Sequence, residues 1–357
     1  MTIIRTAILL AAMLTPGGCV TLVRGDAPVL DQSSHAYIAG FAPDVRMTGS
    51  DNADFLARTG NTLERLEARS GDDAIDILAL SGGGAGGAFG AGAIVGLTQS
   101  GKRPEFEIVT GVSTGALIAP FAFLGPEWDD GRMLLAATTN LDSEETVIWD
   151  LGAIARRGGE PARQLFVNVL VASSSVPGVF PPVMFDVDAA SGTYQEMHVD
   201  GGTTVPFFIA PHAAFLTEEK LDVLEDINIY VIINGQLGTL PRATPVSTVP
   251  ITMRGFSVVL MHMARTELAL TASFAAQHGM NLRLASIPAA MTFAGSLDFE
   301  TVNMRKLFDF ARACAASDRL WLDIQDALAR VGGVAGSETE CGSGAALPEP
   351  DVQMVQE

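Results

Sequence analysis

Apolar residues are grouped in short runs along the chain, and stretches with helical spacing separate these runs. The runs at 75–80, 106–110, 165–171 and 227–233 are rich in Ile, Val and Leu. Runs of this length and composition are typical of strands that are buried on both faces of a sheet. Since strands that alternate with helices form parallel sheets, we predict an α/β fold. Its three layers would be a mainly parallel central sheet and helices on both faces.

The pattern continues toward the C-terminus and divides the chain into segments. Residues 254–283 have helical spacing, and residues 301–330 predict one or two more helices, because apolar residues recur three and four positions apart. Weak strand signals and scattered Pro and Gly precede the first apolar run, and a Gly/Ser-rich stretch ends the chain. The predicted parts are a signal peptide at 1–18, a tether at 19–73, an α/β domain at 74–331 and a flexible tail at 332–357.

The first residues predict export. Arg5 supplies a positive charge, the stretch from Ala7 to Leu14 is apolar, and two glycines precede Cys19. This apolar stretch is too short to span a bilayer. The Gly-Gly-Cys sequence resembles the lipobox of bacterial lipoproteins, although Pro16 stands where that motif usually has Leu. The resemblance implies a lipid on Cys19 and a place in the cell envelope, on a bacterial membrane facing the periplasm.

Composition and charge limit the partners. The chain has 357 residues, 48% of them hydrophobic, and a net charge of −19 at pH 7. Such a chain can form one large globular domain, but it lacks the basic surface that nucleic acids require. Its charge also disfavours docking on anionic lipids, so membrane contact would depend on the anchor and on apolar groups. The visible basic clusters, which fit a solvated face or a headgroup contact, are Lys102, Arg103, Arg156, Arg157 and Arg163.

The cysteines agree with an exported protein. With Cys19 lipidated, Cys314 and Cys341 remain, and an oxidising compartment allows one disulfide between them. Two free thiols are the alternative. No spacing of His, Cys or carboxylate residues in the sequence resembles a metal site, so we predict no metal and no cofactor.

A Gly-Val-Ser-Thr-Gly sequence at 111–115 is the first candidate for chemistry. It follows the predicted strand at 106–110 and precedes an apolar helical stretch at 116–124. A nucleophilic serine on a sharp strand-to-helix turn requires this context. The glycines on both sides lack the Cβ atoms that would crowd such a turn. The sequence therefore predicts Ser113 as a nucleophile.

A glycine-rich loop follows the predicted strand at 75–80 and opens a helix. Its glycines are Gly82, Gly83, Gly84, Gly86, Gly87 and Gly90. A loop of this kind leaves backbone N–H groups free at the positive end of a helix. Those donors suit an oxyanion or a phosphate.

Two phosphate-binding interpretations of this region fit poorly. The spacing satisfies the dinucleotide pattern, but Glu105 and Glu107 stand at the start of the next strand, where a ribose-binding carboxylate belongs at the end. A P-loop-like match at 96–102 follows a helix and lacks the final Ser or Thr. An oxyanion hole for Ser113 uses both motifs at once, and we prefer it.

Two later segments complete a set of sequence motifs that resembles a known family. An Asp-Gly-Gly sequence at 200–202 follows a strand-like stretch at 195–199, and residues 172–182 contain Ser-Ser-Ser-Val-Pro-Gly. With the glycine loop and the serine turn, they resemble the patatin-like phospholipases, a family of serine acyl hydrolases with an α/β fold. The resemblance covers residues 74–235 and extends into the predicted C-terminal helices. Many members carry Arg or Lys where Gly86 stands here.

The resemblance implies a serine lipid acyl hydrolase with a catalytic dyad. Asp200 would accept the proton of Ser113 without a histidine, and an acyl-enzyme would then be hydrolysed by water. The implied substrate is a lipid ester. The backbone N–H donors for the oxyanion would come from Gly82, Gly83, Gly84 and Thr114. The glycines that support the motifs are Gly86, Gly87, Gly111, Gly115, Gly201 and Gly202.

Two other functions stay open from the sequence. A Ser-His-Asp esterase for small esters could take its base from His212, His262 or His278. A non-catalytic envelope lipoprotein could retain the fold as a binding module. His198 alternates with Val199 on a predicted strand, which favours a packing or positioning role, and His35 lies in the tether.

Overall fold

The computed structural model describes a large part of the predicted α/β domain and little outside it. The described residues are 24, 36–48, 75–124, 132–190, 192–209, 227–238, 243–322 and 341. The predicted signal peptide, Cys19, His35 and His212 lie outside them, as does the tail apart from Cys341. Within the described residues, no helix is long and apolar enough to span a bilayer.

The elements follow one another in an order that supports an α/β fold. The strands are β1 Tyr37–Ile38, β2 Arg46–Thr48, β3 Ile75–Leu80, β4 Ile108–Val112, β5 Met133–Asn140, β6 Glu145–Asp150, β7 Val183–Ala189, β8 Gly192–Asp200, β9 Ile227–Gln236 and β10 Asn281–Ile287. The α-helices are α1 Gly87–Ser100, α2 Thr114–Phe123, α3 Leu151–Arg157, α4 Gly159–Ser173, α5 Thr248–Gln277 and α6 Thr301–Ala316. Short 3-10 helices span Pro43–Val45, Gly84–Gly86 and Gly201–Thr203.

The described strands form one large sheet with a parallel centre. Strands β10, β9, β3, β4 and β5 lie side by side in that order, and each neighbouring pair is parallel. Strands β8, β7 and β1 continue the sheet with antiparallel pairs, and β6 and β2 form a second antiparallel arm on β5. The predicted α/β fold with a central parallel sheet is confirmed. The antiparallel arms are an addition that the sequence did not predict.

The parallel strands are buried on both faces, which explains their nearly continuous apolar sequences. In β3, Leu78 and Leu80 pack on one side with the apolar residues of α1, α2 and α6. Ile77 and Ala79 face the other side, where they pack with residues of α5 such as Leu268. A strand between two helical layers has no polar face, so its sequence does not alternate.

Strands β4 and β8 share one edge of β5. Strand β4 ends with Val112 beside Ala137, and β8 ends with Asp200 beside Thr138. Strand β6 pairs with the other edge of β5 over the same stretch. The ends of β4 and β8 therefore meet at consecutive positions of β5, and this brings Ser113 next to Asp200.

The predicted strand at 165–171 is wrong. These residues lie inside helix α4, and the buried residues Ala162, Leu165, Val169 and Ala172 are three and four positions apart. That spacing places them on one helical face. The β-branched residues that suggested a strand are partly on the outer face, where Val171 is 50% exposed.

The long helix predicted at 254–283 has different ends in the structure. Helix α5 begins at Thr248 and ends at Gln277, and β10 begins at Asn281. Gly279 lies between them with φ +70°, a left-handed conformation that ends helices and favours glycine. The helix predicted to 283 ran past this glycine, although a glycine after His278 is a local signal of a helix end.

Candidate active site

Ser113 lies on a sharp turn between β4 and α2. Its φ of 55° and ψ of −126° are unusual for a residue with a side chain. A Cβ atom on Gly111 would lie 2.6 Å from Cα of Ala116, and one on Gly115 would lie 2.2 Å from the carbonyl oxygen of Leu80. Both flanking glycines are therefore required for the turn to pack.

The side chain of Ser113 contacts Asp200 directly. Its Oγ donates a hydrogen bond of 2.6 Å to Oδ2 of Asp200. The other carboxylate oxygen, Oδ1, accepts a hydrogen bond of 2.7 Å from the N–H of Gly202. Both side chains are largely buried, with each residue only 5% exposed. One carboxylate oxygen of Asp200 therefore accepts the bond from the serine, and the other holds the carboxylate in a fixed orientation.

Burial makes Asp200 a weaker acid. It raises the pKa of the Asp200 carboxyl to about 6, although hydrogen bonds from Ser113 and Gly202 act in the opposite direction. A base with a pKa near the working pH is ionised and still accepts a proton readily. The carboxyl is therefore suited to proton transfer near neutral pH.

The serine cluster after helix α4 fixes both residues through the backbone. The N–H of Ser113 donates to Oγ of Ser173 at 2.9 Å, and that hydroxyl donates to the carbonyl oxygen of Ala137 at 2.7 Å. The N–H of Asp200 donates to the carbonyl oxygen of Ser175 at 2.9 Å. This serine run served in the sequence analysis only for the family resemblance, and no local signal revealed these contacts.

The glycine loop faces Ser113 with two free donors. Gly83 has φ +157° and Gly84 has φ +54°, and both line the same cavity as Ser113. Among the described residues, no hydrogen-bond partner is found for the N–H groups of Gly83, Gly84 or Thr114. Donors that lack a protein partner at a cavity wall can bind an oxyanion.

Gly82 requires a correction. Its N–H donates a hydrogen bond of 3.0 Å to the carbonyl oxygen of Pro206. This donor is already used within the protein, so Gly82 cannot serve an oxyanion as the sequence analysis expected. A Cβ atom at this position would lie 3.2 Å from Cβ of Ser113, and Gly82 therefore matters for close packing.

Asn234, at the end of β9, holds the glycine loop in place. Its N–H donates to Oγ of Ser81 at 2.8 Å, and its Nδ2 donates to the carbonyl oxygen of Ser81 at 2.7 Å. Its Oδ1 accepts a bond of 3.0 Å from the N–H of Gly90. The side chain thus joins the start and the end of the loop. An Asn-Gly pair such as 234–235 indicates only a turn, and no local signal could have revealed this contact with residues over 140 positions away.

The backbone of Asn234 also explains why glycine stands at position 86. A Cβ atom on Gly86 would lie 2.1 Å from the carbonyl oxygen of Asn234, and one on Gly87 would lie 2.0 Å from Oγ1 of Thr114. Neither position has room for a side chain. The Arg or Lys that many patatin-like proteins carry at position 86 could not enter this loop without moving β9.

One cavity of about 530 Å³ contains these groups. Ser113, Asp200, Gly83 and Gly84 form its polar end. Its other walls are mainly apolar and include Leu117, Val171, Val176, Phe180, Phe256, Val258, Leu260, Met261, Phe293, Leu297 and Phe299. A cavity with a few polar groups and apolar walls is typical of a site for a largely apolar ligand.

The described histidines lie away from this cavity. His198 is fully buried, and its Nε2 lies 3.1 Å from Oε2 of Glu196, which also pairs with Arg46. Burial lowers the pKa of His198, against its hydrogen bond to Glu196. His262 and His278 lie on or beside helix α5 and are not among the residues that line the cavity.

The remaining predicted residues are not part of the cavity. Cys314 and Cys341 form a disulfide with Cα atoms 5.3 Å apart. Gly201 packs at the end of β8, where a Cβ atom would lie 2.4 Å from the carbonyl oxygen of Ala137. Within the described parts of the chain, no group of three or more His, Cys, Asp or Glu residues could hold a metal ion.

Comparison with known proteins finds a family that part of the chain resembles. No curated protein matches the chain. Among solved structures, the chain is similar to the crystal structure of VipD from Legionella pneumophila, with a TM-score of 0.32 and 11% sequence identity, over 88% of this chain and 73% of that one. Residues 78–168 match the family model of the patatin-like phospholipases.

The family match includes the glycine loop and Ser113 and ends before Asp200. It agrees with the resemblance that the motifs predicted, and members of the family are lipid acyl hydrolases. Residues 78–168 are therefore similar to the patatin-like phospholipases.

Proposed function

We propose that this protein is a serine hydrolase of lipid carboxylic esters, in which Ser113 is the nucleophile and Asp200 is the general base. The observation that carries the proposal is the 2.6 Å hydrogen bond from Oγ of Ser113 to Oδ2 of Asp200 inside a mainly apolar cavity. A nucleophile and a base within this distance meet the geometric requirement for proton transfer.

The proposed first step forms an acyl-enzyme. Oγ of Ser113 attacks the ester carbonyl carbon, and its proton passes to Oδ2 of Asp200. The carbonyl oxygen becomes an oxyanion, which the free N–H groups of Gly83 and Gly84 stabilise; the N–H of Thr114 is a third donor. When the tetrahedral intermediate collapses, the alcohol leaves with the proton that Asp200 holds.

The proposed second step restores the enzyme. A water molecule attacks the acyl-enzyme and gives its proton to Asp200, and the same N–H groups stabilise the second oxyanion. Ser113 then leaves and recovers the proton, and the fatty acid is released. Since Asp200 alternates between base and acid in each step, its raised pKa serves both directions of proton transfer.

Exposed apolar side chains at the cavity support a lipid as substrate. Leu117, Val171, Phe180, Val258 and Phe299 line the cavity, and each is at least 39% exposed. Apolar groups that remain in contact with water mark sites for apolar ligands or surfaces. Together with the other apolar walls of the cavity, they suit an aliphatic chain.

A Ser-His-Asp esterase remains the second candidate only through His212, which lies outside the described residues. The observation against it is that Asp200 itself contacts Ser113, a position that the histidine occupies in such a triad. Substitution of His212 by Ala separates the two mechanisms. We expect this variant to retain activity.

The decisive experiment measures fatty-acid release from a mixture of phospholipids and acylglycerols. We expect Ser113→Ala and Asp200→Asn each to reduce release by at least about a thousand-fold, because both act in one proton transfer. Ser174→Ala is the matched control, since Ser174 lines the same cavity and its hydroxyl has no hydrogen-bond partner among the described residues.

A fluorophosphonate probe distinguishes the ways in which the proposal could fail. Labelling of the wild type but not of Ser113→Ala, without fatty-acid release, would mean that the substrate class is wrong. Absence of labelling in the folded wild type would instead favour a non-catalytic lipoprotein. Loss of release in His212→Ala alone would favour the triad.

We propose further that the chain is exported and anchored to a bacterial membrane through a lipid on Cys19. The support is the sequence of residues 1–19. Such an anchor would keep a protein of net charge −19 at a lipid surface that does not attract it by charge. Labelling of the wild type with radioactive palmitate in a bacterial host, and not of Cys19→Ser, is the expected result.

A further inference from the structure

Helix α5 places one arginine in the wall of the cavity. Among the described residues that line the cavity, Arg254 and Asp200 are the only charged ones. Asp200 already bonds to Ser113 and to the N–H of Gly202. Of the charged residues that the structure describes in the cavity wall, Arg254 is therefore the one that the proposed chemistry does not use.

Arg254 differs in its contacts from Arg46 and Arg163. Arg46 pairs with Glu196, and Arg163 pairs with Glu160. Arg254 makes no ion pair and no side-chain hydrogen bond with any described residue. Its guanidinium has five N–H donors, and no residue in the described part of the chain accepts from them.

The surroundings of Arg254 make such a ligand favourable. The residue is partly buried, and Phe256, Val258 and Leu260 of the same helix line the cavity beside it. A guanidinium beside apolar groups interacts more strongly with an anion than it would in open water. Its planar fork matches the oxygens of a phosphate or a carboxylate in a bidentate manner.

We propose that Arg254 binds the phosphate of a phospholipid substrate and so selects phospholipids over neutral acylglycerols. This inference rests on the proposed function, which places the ester at Ser113. A phosphate fits better than the carboxylate of the released fatty acid, because that carboxylate forms at Ser113, where Gly83 and Gly84 provide the donors. Arg254 belongs to helix α5 and lines the same cavity as Ser113.

Binding to a form that cannot turn over tests the inference without relying on catalysis. The protein carries Ser113→Ala, and calorimetry measures Kd for diheptanoylphosphatidylcholine and for diheptanoylglycerol, both as monomers. We expect Arg254→Gln to weaken phosphatidylcholine binding about 10- to 100-fold, the effect of losing hydrogen bonds to a charged group. Diacylglycerol binding should change less than about twofold, and Arg254→Lys should restore part of the loss because it keeps the charge without the fork.

The matched control is Arg163→Gln, which makes the same change in net charge on an exposed face of helix α4. The Arg163 side chain is 71% exposed, and it pairs with an exposed glutamate. We expect no change for either lipid. An equal loss for both lipids with Arg254→Gln, no loss for either, or no phosphatidylcholine binding in the parent would overturn the inference.

Turnover measurements separate this inference from the proposed function. With Ser113 present, Arg254→Gln should lower kcat/KM for phosphatidylcholine and leave that for diacylglycerol unchanged. If Arg254→Gln instead weakens only inhibition by heptanoate, the ligand is the product carboxylate and the inference is wrong. Failure of the proposed function would appear differently, as the absence of Ser113-dependent hydrolysis of both lipids.

Discussion

Ser113 and Asp200 each occupy a state that the rest of the protein must enforce. Ser113 has a positive φ, which costs of order 1–3 kcal/mol for a residue with a side chain. Asp200 is a carboxyl in a largely buried position, where ionisation is unfavourable. Such states persist only when the surroundings fix them, and here Ser173, Ser175 and Gly202 bind the two backbones and the carboxylate.

The pH dependence of activity follows from the pKa of Asp200. A general base must be ionised, so kcat/KM should rise about tenfold per pH unit below pH 6 and level off above it. Diacylglycerol is the suitable substrate because it does not titrate. A pH profile of kcat/KM that is flat between pH 5 and 8 would contradict the role of Asp200. So would a pH profile that is changed by His212→Ala and by no other substitution.

The same pKa gives a control that does not depend on activity. The folded protein binds the Asp200 proton more tightly than the unfolded chain, in which the ordinary pKa is 3.8, so stability falls as the pH rises from about 4 to 6. Asp200→Asn cannot ionise. At pH 7.5 its free energy of unfolding should exceed that of the wild type by about 3 kcal/mol, and at pH 4 the two should be nearly equal in urea titrations.

At the scale of elements, the predictable parts of the fold are those whose local sequence decides their structure. Strands β3, β4 and β9 were predicted because burial on both faces leaves a short apolar run. The run at 165–171 has a similar composition but forms part of helix α4, and only packing against the sheet decides between the two. Strand β5 was missed, although it joins β4 to β8 and so determines the site.

The residues of the site also divide into those that their local sequence identifies and those that it does not. Glycines in sharp turns and the residues beside them form motifs that can be read locally, and these identified Ser113 and Asp200 as candidates. Ser173, Asn234 and Arg254 act through contacts with residues far away in sequence, or through the cavity wall. Their sequence neighbours carry no sign of those contacts, so sequence analysis could not assign them.

The glycine loop provides a prediction at the level of an element. In Gly86→Ala, the new Cβ atom would lie 2.1 Å from the carbonyl oxygen of Asn234, so the loop or β9 must move. Overpacking of this kind costs about 1–3 kcal/mol, and displaced donors stabilise the oxyanion less. We expect kcat to fall at least about tenfold with little change in KM, measured on the same diacylglycerol substrate.

The control for this substitution is Gly255→Ala. Gly255 lies inside helix α5, and apart from its chain neighbours and the backbone of its own helix, no described heavy atom lies within 4 Å of the position of its Cβ. Alanine should therefore be tolerated, and helix propensity predicts a gain in stability of up to about 1 kcal/mol. A Gly86→Ala enzyme with unchanged kcat would show that the backbone of Asn234 does not restrict the loop.

At the scale of the whole molecule, the cavity is assembled from segments that are distant in sequence. Ser113, Asp200, Asn234, Arg254 and Phe293 all line it, and each comes from a different part of the fold. The layer behind the glycine loop is a tight pair of helices, because Cβ atoms on Gly92 and Gly96 of α1 would lie within 2.4 Å of backbone carbonyl oxygens of α6. Helix α6 therefore supports the helix that carries the loop.

The disulfide provides a prediction about this support. It joins Cys314 of α6 to Cys341 across a sequence separation of 27, and a cross-link of this length stabilises a fold by about 2–4 kcal/mol. Neither cysteine lines the cavity. Cys341→Ser should therefore lower the free energy of unfolding by that amount and leave kcat/KM nearly unchanged at 25 °C. Treatment with dithiothreitol should destabilise the wild type equally and the variant not at all. If the oxidised wild type and the variant unfold at the same urea concentration, the disulfide does not support α6. If kcat/KM falls together with the free energy of unfolding, the packing of α1 on α6 affects the glycine loop more directly than its position indicates.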